Sequence, residues 1–512
     1  MQISDTEGSL ARTFFSPAHR RAAEVIKQWM SDCGMESWVD AVGNVHGRIR
    51  SIREGAQALL LGSHYDTVLD GGAYDGALGI VVGLAAVKGM LLTEMVQRGW
   101  VDRLPPQPAE DKDGDIVIPP TLASSLLTLG SVHLVAFTDE EGVRFQSTFL
   151  GSRAVAGTLF KYNMLASRDA SGTSLEQVLR QEGGLTDTDP RVALAALALD
   201  PASISEYVEV HIEQGPVLEQ RGLPLGVVVG IAGQTRLWVG VNGTQGHAGT
   251  VPMRGRRDAL AAAAELVVAI EALCTQPESD GGAPEEENLV CTVGELKLWP
   301  GASNVISGHT GFSVDVRSKT DPVRHTAVDR LLAAVERVCA RRGVACRVDR
   351  KHDAAAVLSD PRVIENMSAA VRMAEPILLA ALTAEELERS CGLLKGLQSV
   401  PVLVSGAGHD AMAIAETIPK MGMMFVRCRG GVSHSPLEYV EPEDVTASTA
   451  ALASYLWGRL AGGMLSNTQP EAAAEAVEEA EAVVEEAVAA EAVEAAPSPP
   501  VETEAPAVRD EL

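Results

Sequence analysis

The sequence predicts an α/β fold in which a smaller two-layer α+β unit interrupts a larger α/β domain. Short apolar runs of the kind that form buried strands alternate with helical patterns before residue 222 and again after residue 351. Between them, residues 223–350 follow the pattern β-α-β-β-α-β, with the alternation typical of antiparallel strands. A chain of 512 residues with 46% apolar content is long enough to bury two cores.

The first part of the larger domain, residues 1–222, is expected to place buried strands between helices. A segment rich in Pro and Asp, Leu104 to Pro120, is expected to be an exposed insertion rather than part of the core. The predicted elements of this part are helix Pro17–Met30, strand Trp38–Ile49, buried strand Ala58–Leu61, helix Gly79–Leu92 and strand Val132–Phe137.

The inserted unit, residues 223–350, combines strands with two helices, and residues 351–462 add further buried strands to the first sheet. Residues 463–512 are rich in Glu, Ala and Val without capped apolar periodicity, which predicts a disordered acidic tail. The predicted elements of these parts are helix Asp258–Cys274, strands within Leu289–Asp315, helix Val323–Arg341 and a closing helix, Asp444–Leu460.

The composition argues against several classes of protein. A formal charge of -27 without a dense Lys/Arg stripe argues against a nucleic-acid partner. No stretch reaches the roughly 20 apolar residues of a membrane span, and the most apolar one, from Ala77 to Leu92, carries Lys88. The seven cysteines have no CxxC spacing, so we expect ordinary buried thiols. A serine hydrolase is disfavoured because no G-x-S-x-G motif occurs.

The two ends of the chain point to different compartments. The N-terminal stretch MQISDTEGSLARTFF has no apolar segment of the kind that a secretory signal needs. The chain closes in Arg509-Asp510-Glu511-Leu512, a variant of the signal that retains soluble proteins in the endoplasmic reticulum. The tetrapeptide alone leaves a retention signal and a chance ending equally weighted.

Side chains that can hold a metal follow four of the apolar, strand-like runs. In open α/β sheets the ligand crevice lies beyond the carboxyl ends of the strands, so these side chains are expected to converge despite their distance in sequence. Three histidines and two carboxylates would make a dinuclear site. The candidate ligands are His64, Asp75, Glu141, His211 and His434.

Neighbouring residues have roles that support such a site. Asp66, two residues after His64, is placed to accept the proton of the imidazole nitrogen that faces away from the metal. Asp75 follows two glycines, in a loop able to fold back so that one carboxylate bridges two cations. Glu140 would stay unligated beside Glu141 and take a proton from a water whose pKa the cations lower.

The alternatives for these residues are ordinary structural roles. A solvated acidic turn explains three adjacent carboxylates, and a satisfied histidine at a strand end explains His64. His409, in GAGHDA, competes with the other histidines as a ligand, and spacing does not exclude it.

Several motifs in order resemble those of the dinuclear-metal amidohydrolases, the family that includes N-carbamoyl-amino-acid hydrolases and the ureidoglycolate and allantoate amidohydrolases. The resemblance spans roughly Leu10 to Leu460 and is strongest to plant-type allantoate amidohydrolases. The motifs are GSHYDTV, GGAYDG, TDEEGVRFQSTFLGS, EVHIEQGPVLE, GIAGQTR, GTQGHAGTVPM, WPGASNVI, DVRS, SGAGHDAM and RCRGGVSHSP.

The resemblance implies a metallopeptidase-like catalytic domain with a mixed sheet and an inserted lid domain that forms a homodimer. It also implies that the five candidate ligands bind two divalent ions, that Asp75 bridges them, that Glu140 is the general base, and that His409 is not a ligand. Manganese is the metal usual in the family, while zinc, cobalt or nickel would suit the same donors. Secretory residents among the plant-type members favour the endoplasmic reticulum lumen, with the cytoplasm as the alternative, and the apparent lack of a leading helix suggests a truncated gene model.

The implied substrate is a small ureide, bound partly by the inserted domain. By resemblance, Gln214 and His247 hold the ureido carbonyl, His247 acting beside the metals of the partner subunit, while Asn304 and Arg317 grip the substrate carboxylate. Arg317 suits this role because a guanidinium matches a carboxylate bidentately. The implied reaction hydrolyses a ureido group of allantoate to ureidoglycine, ammonia and carbon dioxide. The alternatives are a sister activity on ureidoglycolate or an N-carbamoyl-L-amino acid, and an inactive metal-binding dimer.

Overall fold

Alternating apolar runs and helices form two main sheets in the computed structural model of the protein, which describes residues 3–99, 117–162, 164–185, 189–275, 289–381 and 400–462. Most of the predicted insertion Leu104–Pro120, and the whole predicted tail 463–512, lie outside these ranges. In chain order the strands are β1 Glu36–Val39, β2 Val45–Ile49, β3 Ala58–His64, β4 Ser131–Phe137, β5 Ile204–Ile212, β6 Leu225–Ile231, β7 Gly233–Asn242, β8 Gly246–His247, β9 Leu289–Thr292, β10 Leu296–Trp299, β11 Val305–Ile306, β12 His309–Ser318, β13 Ala345–Ala354, β14 Val357–Leu358, β15 Val402–Ser405 and β16 Met421–Val426.

Among the described residues, the larger sheet has nine strands in the order β1-β2-β4-β3-β5-β16-β6-β14, with β15 also paired to β6. Its four central strands β4, β3, β5 and β16 run parallel to one another. The outer pairs β1–β2, β2–β4, β16–β6 and β14–β6 are antiparallel, so the predicted mixed α/β sheet is confirmed. Because the central strands are parallel, their carboxyl ends lie at one edge of the sheet.

Helices cover both faces of this sheet, which is why strands β3, β4 and β16 are mostly apolar and are buried along their whole length. The helices are α1 Pro17–Asp32, α2 Ala77–Gln97, α3 Pro120–Leu126, α4 Leu150–Val155, α5 Leu175–Glu182, α6 Pro190–Ala195, α7 Val217–Gln220, α8 Ala259–Thr275, α9 Asp321–Arg342, α10 Pro361–Ala381, α11 Asp410–Ile414 and α12 Pro442–Leu460. Helices α1, α2, α10 and α12 share the main hydrophobic core with the sheet, and α4 and α11 pack in a second core.

Helix α2 is long and apolar enough to cross a membrane by length and composition, and 56% of its apolar window is buried inside the protein. The helix lies against β3 and β5 of the larger sheet. A Cβ atom at Gly79 would come within 2.1 Å of the carbonyl oxygen of Val210, so only glycine permits this close approach. The apolar surface of α2 is thus used in packing against the sheet.

The smaller unit is an antiparallel sheet in the order β10-β12-β7-β13, with β9 also paired to β12. Helices α8 and α9 share a separate hydrophobic core with this sheet. The sequence assigns residues 223–350 to this unit, whereas strand β6 pairs with β16 in the larger sheet and the smaller unit starts at β7. The burial explains the difference, because β6 is buried on both faces and β7 alternates between buried and partly exposed residues.

Two local features differ from the expected elements. The stretch Trp38–Ile49, expected to form one strand, is a hairpin of β1 and β2. The chain reverses where the carboxylate of Asp40 accepts hydrogen bonds from the backbone N–H groups of Val42 and Asn44, at 3.0 and 2.9 Å. Helix α10, which no sequence pattern singled out, packs beside α12 and completes the main core.

The expectation that the cysteines are ordinary thiols is wrong for four of them. In the smaller unit, Cys274 at the end of α8 is bonded to Cys291 of β9, and Cys339 of α9 is bonded to Cys346 of β13. Each bond joins a helix to a strand that packs beside it, a proximity that spacing along the chain does not reveal. Among the described residues, Cys33 and Cys428 are free and buried.

Candidate metal centre

Side chains that can bind a metal gather where the four parallel strands of the larger sheet end. His64 is the last residue of β3, and His211 lies one residue before the end of β5. Glu140 and Glu141 follow β4, and His434 follows β16. The parallel order of the strands therefore brings residues from four separate segments to one edge of the sheet.

Asp75 belongs to two groups of candidate ligands. In the first group its Oδ1 lies 3.7 Å from Nε2 of His64 and 3.2 Å from Nε2 of His211. In the second group its Oδ2 lies 3.1 Å from Nε2 of His434, and the same nitrogen lies 3.2 Å from Oε1 of Glu141. Within each group all ligand atoms lie within 4.8 Å of one another. A carboxylate shared by two such groups suits a pair of cations.

The hydrogen bonds of the first group fit a cation. Nδ1 of His64 lies 3.2 Å from the carbonyl oxygen of Asp66, and Nδ1 of His211 lies 3.0 Å from that of Ile212. A proton on each Nδ1 leaves a lone pair on each Nε2, and these two nitrogens are only 3.4 Å apart. Both face Oδ1 of Asp75, which is buried and accepts no hydrogen bond. Three electron-rich atoms in one buried space repel one another unless a cation lies between them.

The carboxylate of Asp66 fixes the segment that carries both glutamates. It accepts hydrogen bonds from the backbone N–H groups of Glu140 at 3.0 Å and of Glu141 at 3.2 Å. Its Oδ1 lies 3.6 Å from Nδ1 of His64, whereas the backbone carbonyl oxygen of Asp66 lies 3.2 Å from that nitrogen. The sequence predicts a bond from His64 to the carboxylate of Asp66, whereas the ring bonds the backbone carbonyl of that residue. The carboxylate instead holds Glu140 and Glu141 in place.

Glu140 is buried beside the first group, with its Oε2 4.0 Å from Nε2 of His64. Burial raises the pKa of Glu140 well above its usual range. A carboxyl group that readily takes up a proton next to the ligands suits a group that accepts and returns protons. The preceding residue, Asp139, has φ +50 and both carboxylate oxygens buried without a hydrogen bond.

The loops at the site contain further residues in the left-handed backbone region. Gln214 has φ +57 and His434 has φ +53. Non-glycine residues rarely adopt this conformation unless the surrounding structure enforces it, and such residues cluster at functional sites. Gln214, predicted to bind substrate, donates hydrogen bonds to Oδ2 of Asp75 at 3.1 Å and to Oγ of Ser433 at 3.0 Å, and so lies directly at the second group.

The other predicted substrate residues lie in the smaller unit. His247 on β8 and Asn304 beside β11 are both exposed, and the two short strands pair with each other. Nδ1 of His247 accepts a hydrogen bond from the backbone N–H of Gly249, at 3.1 Å. Among the described residues, no polar contact joins the His247 ring to a candidate ligand of the same chain. Arg317 pairs with both carboxylate oxygens of Asp315, each at 3.0 Å.

Arg317 also links the two units. Its Nη1 donates a hydrogen bond of 2.7 Å to the carbonyl oxygen of Gly406, in the loop after β15. Arg317 and Gly406 border an open cavity of about 660 Å³ between the larger and smaller units, which Arg236 and Asp315 also line. Both guanidinium groups pair with the carboxylate of Asp315, so an anionic ligand would bind here by competing with Asp315.

His409, the competing histidine, is buried behind the first group. Its ring packs edge-on against that of His211, with 4.5 Å between centroids, and its Nε2 lies 2.8 Å from Oγ of Ser405. His409, His211 and Glu209 form a third group with ligand atoms within 4.8 Å. This group shares His211 with the first, and a hydrogen bond with Ser405 already engages the His409 ring.

Two residues that contact the site were missed in the sequence. Glu438 accepts hydrogen bonds from the loop that carries Asp75, and Asn44 is bonded to the backbone N–H of Thr138, just before Asp139. Both act on backbone N–H groups, which have the same chemistry in every residue except proline. No spacing rule could therefore have found them.

Comparisons with known proteins show what the chain is similar to. A model of peptidase family M20/M25/M40 matches residues 120–458. The chain is 47% identical over 464 residues to the probable allantoate deiminase of Oryza sativa subsp. japonica, covering 89% of this chain and 85% of that protein. It is 45% identical over 465 residues to the allantoate deiminase of Arabidopsis thaliana, covering 89% and 79%. The crystal structure of AtUAH in complex with (S)-hydroxyglycine superposes with a TM-score of 0.68 at 28% identity, covering 89% of this chain and 93% of that one.

Proposed function

Since this chain belongs to peptidase family M20/M25/M40, we propose that it hydrolyses one ureido group of allantoate, releasing ureidoglycine, ammonia and carbon dioxide. Water adds to the ureido carbonyl, the terminal C–N bond breaks to release ammonia, and the remaining carbamate loses carbon dioxide. The position of Asp75 between two groups of ligands, with Glu140 beside them, carries the hydrolytic assignment. The identity of 45–47% to allantoate deiminases supports the choice of substrate.

One divalent ion would be held by His64, Asp75 and His211, and the second by Asp75, Glu141 and His434. We propose that both ions are manganese. When bound, the ions would supply the Lewis acidity that lowers the pKa of water and polarises the ureido carbonyl. Manganese is the proposal because the family that the sequence resembles usually uses it, and zinc, cobalt or nickel would fit the same three histidines and two carboxylates.

The chain's own residues supply the proton transfer. Glu140 is held beside the two ligand groups by the bond from its backbone N–H to Asp66, where it would take the proton of the attacking water and pass it to the departing nitrogen. Arg317 would exchange its pairing with Asp315 for the carboxylate of allantoate, since the guanidinium faces the cavity between the two units.

The test of the function is turnover by the metal-reconstituted protein on a panel of allantoate, ureidoglycolate and N-carbamoyl-L-amino acids, with ammonia release as the readout. Allantoate is expected to have the highest kcat/KM. A Glu140→Gln variant is expected to lose about 100-fold or more in kcat while it keeps its metal content. Glu441→Gln, at a partly exposed glutamate paired with Arg429, serves as the matched control. Preference for another substrate, or a Glu140→Gln variant as fast as the control, would contradict the proposal.

We further propose that the enzyme is a homodimer in which His247 of one chain completes the site of the other. The exposure of His247, and the lack of a described contact between it and the ligands of its own chain, support this arrangement. Glu140→Gln and His247→Ala chains, each inactive alone, should regain about a quarter of the wild-type rate when coassembled in equal amounts, because half the dimers are mixed and each has one intact site. Failure of the mixture to regain activity would exclude a shared site.

The proposed compartment is the endoplasmic reticulum lumen. The disulfides Cys274–Cys291 and Cys339–Cys346 support it, because disulfides persist in oxidising compartments. Mass spectrometry of the protein isolated from its own cells under alkylating, non-reducing conditions should find both bonds, and free thiols at all four positions would favour the cytoplasm.

A further inference from the structure

We propose that Glu438 is a positioning residue for the dinuclear centre and that it holds Asp75, the ligand shared by both ions, through the backbone of its loop. The inference rests on the proposed metal centre and assigns a role to a residue outside the two ligand groups. Glu438 lies four residues after His434, in the loop that follows β16.

The carboxylate of Glu438 binds two consecutive backbone N–H groups. Its Oε1 accepts hydrogen bonds from the N–H of Tyr74 at 2.8 Å and from the N–H of Asp75 at 2.9 Å. Glu438 is only 5% exposed, so water competes little for these bonds. Hydrogen bonds to an ionised acceptor are the stronger kind, and two of them on neighbouring residues fix the direction of the peptide that carries the Asp75 side chain.

The second carboxylate oxygen reaches Asp75 by another route. Oε2 of Glu438 accepts a hydrogen bond from Oγ of Ser433 at 3.0 Å, and the same hydroxyl lies 3.3 Å from Oδ2 of Asp75. Gln214 donates from Nε2 to both the Ser433 hydroxyl and Oδ2 of Asp75. Glu438 therefore contacts the backbone of Asp75 directly and its carboxylate through one intervening hydroxyl.

The loop carrying Asp75 is shaped to admit Glu438. A Cβ atom at Gly72 would lie 2.1 Å from Cδ of Glu438 and 2.2 Å from its Oε1. No real Cβ atom tolerates such contacts, so a side chain at position 72 would push the carboxylate away from the two N–H groups. Glycine at this position is explained by the close approach of Glu438.

The role is one of positioning and not of ligation. Both oxygens of Glu438 are occupied by hydrogen bonds from Tyr74, Asp75 and Ser433, and Glu438 is in none of the ligand groups found among the described residues. The segment from Ser433 to Glu438 also carries His434, a ligand of the second group. One short loop thus supplies a ligand to one ion and holds the ligand shared by both, so loss of Glu438 should weaken the binding of both ions.

The experiment measures metal binding by the full-length protein without substrate. Apoprotein is titrated with Mn²⁺ by isothermal titration calorimetry for wild type, Glu438→Gln, Gly72→Ala and the control Glu441→Gln. Glutamine keeps the size of the side chain but replaces the ionised acceptor, and alanine at position 72 displaces the carboxylate without removing it. Both variants are expected to bind Mn²⁺ about 10- to 100-fold more weakly, the usual effect of losing a partner that orients a ligand, and the control is expected to match wild type.

A second readout separates positioning from a general loss of stability. Excess Mn²⁺ should restore the kcat of Glu438→Gln, with an unchanged KM for allantoate. Unchanged Mn²⁺ affinity in Glu438→Gln would overturn the inference. It would also be overturned if the Glu438→Gln apoprotein had a lower thermal midpoint and excess Mn²⁺ did not restore its kcat, since that pair of results indicates a general loss of stability. If Gly72→Ala fails to fold, Glu438→Gln alone decides the question. A wild-type protein that binds neither Mn²⁺ nor Zn²⁺ would instead refute the proposed metal centre.

Discussion

Asn44 provides the most direct test of how the scaffold holds the proposed base. Its side chain is fully buried and makes three hydrogen bonds. Oδ1 accepts from the backbone N–H of Thr138 at 3.1 Å, and Nδ2 donates to the carbonyl oxygen of Gly151 at 3.1 Å and to Oδ2 of Asp40 at 2.9 Å. Thr138 is two residues before Glu140, so Asn44 holds the start of the segment that carries the proposed base.

The cost of Asn44→Ala can be estimated from these contacts. A buried N–H at Thr138 left without a partner costs about 1–3 kcal/mol. The buried carboxylate of Asp40 loses one charge-assisted bond, worth about 1.5–3 kcal/mol. These two losses add up to about 2.5–6 kcal/mol, and we expect the free energy of unfolding to fall by about that amount. We also expect kcat to fall more than KM changes, because Glu140 loses its fixed position.

The assay is urea denaturation followed by circular dichroism, together with steady-state kinetics on allantoate at a temperature where the variant is folded. Asn242→Ala is the matched control, because Asn242 is exposed and its Oδ1 contacts His309 on the surface of the smaller unit. The reasoning is refuted if Asn44→Ala is no less stable than Asn242→Ala, or if its kcat is unchanged.

Three further predictions concern stability. Burial lowers the pKa of His19 to about 3 from 6.5, so the folded protein resists protonation of this ring. Above pH 6.5 the ring is neutral in both the folded and the unfolded state, and its contribution to stability is complete. As the pH falls from 6.5 towards 3 this contribution is lost, by about 5 kcal/mol at most. A His19→Gln variant should therefore show a shallower loss of stability over that range in denaturation curves, and an unchanged slope would contradict the assignment. A Cys274→Ser/Cys291→Ser double variant should lose about 3 kcal/mol of unfolding free energy, as expected for a bond that closes a loop of 17 residues. A stability equal to that of wild type in non-reducing denaturation would show that the bond contributes nothing. Gly79→Ala should lower the thermal midpoint measured by calorimetry, because the new Cβ meets the carbonyl oxygen of Val210 at 2.1 Å, and a higher midpoint would mean that α2 shifts away without cost.

Much of the larger domain was predictable because a short apolar run in the sequence indicates a buried strand. The apolar runs before His64, Thr138 and His434 form β3, β4 and β16 as expected. Helix α1 begins at Pro17, the residue predicted, since Ser16 caps it by accepting a hydrogen bond from the N–H of His19. The error at Trp38–Ile49 arose because its reversal depends on the carboxylate of Asp40, which binds backbone N–H groups of the turn.

The sequence by itself determined which residue types stand at the ends of the buried strands, because a run of apolar side chains fixes a strand locally and the polar residue after it must lie at the sheet edge. Only the tertiary structure decided that Glu438 and Asn44 hold the site through backbone N–H groups, that strand β6 belongs to the larger sheet, and that four cysteines pair. Contacts such as the one between the N–H of Asp75 and Glu438 join residues 363 positions apart. They depend on how whole strands and loops pack, and a backbone N–H leaves no mark of its partner in the amino-acid sequence.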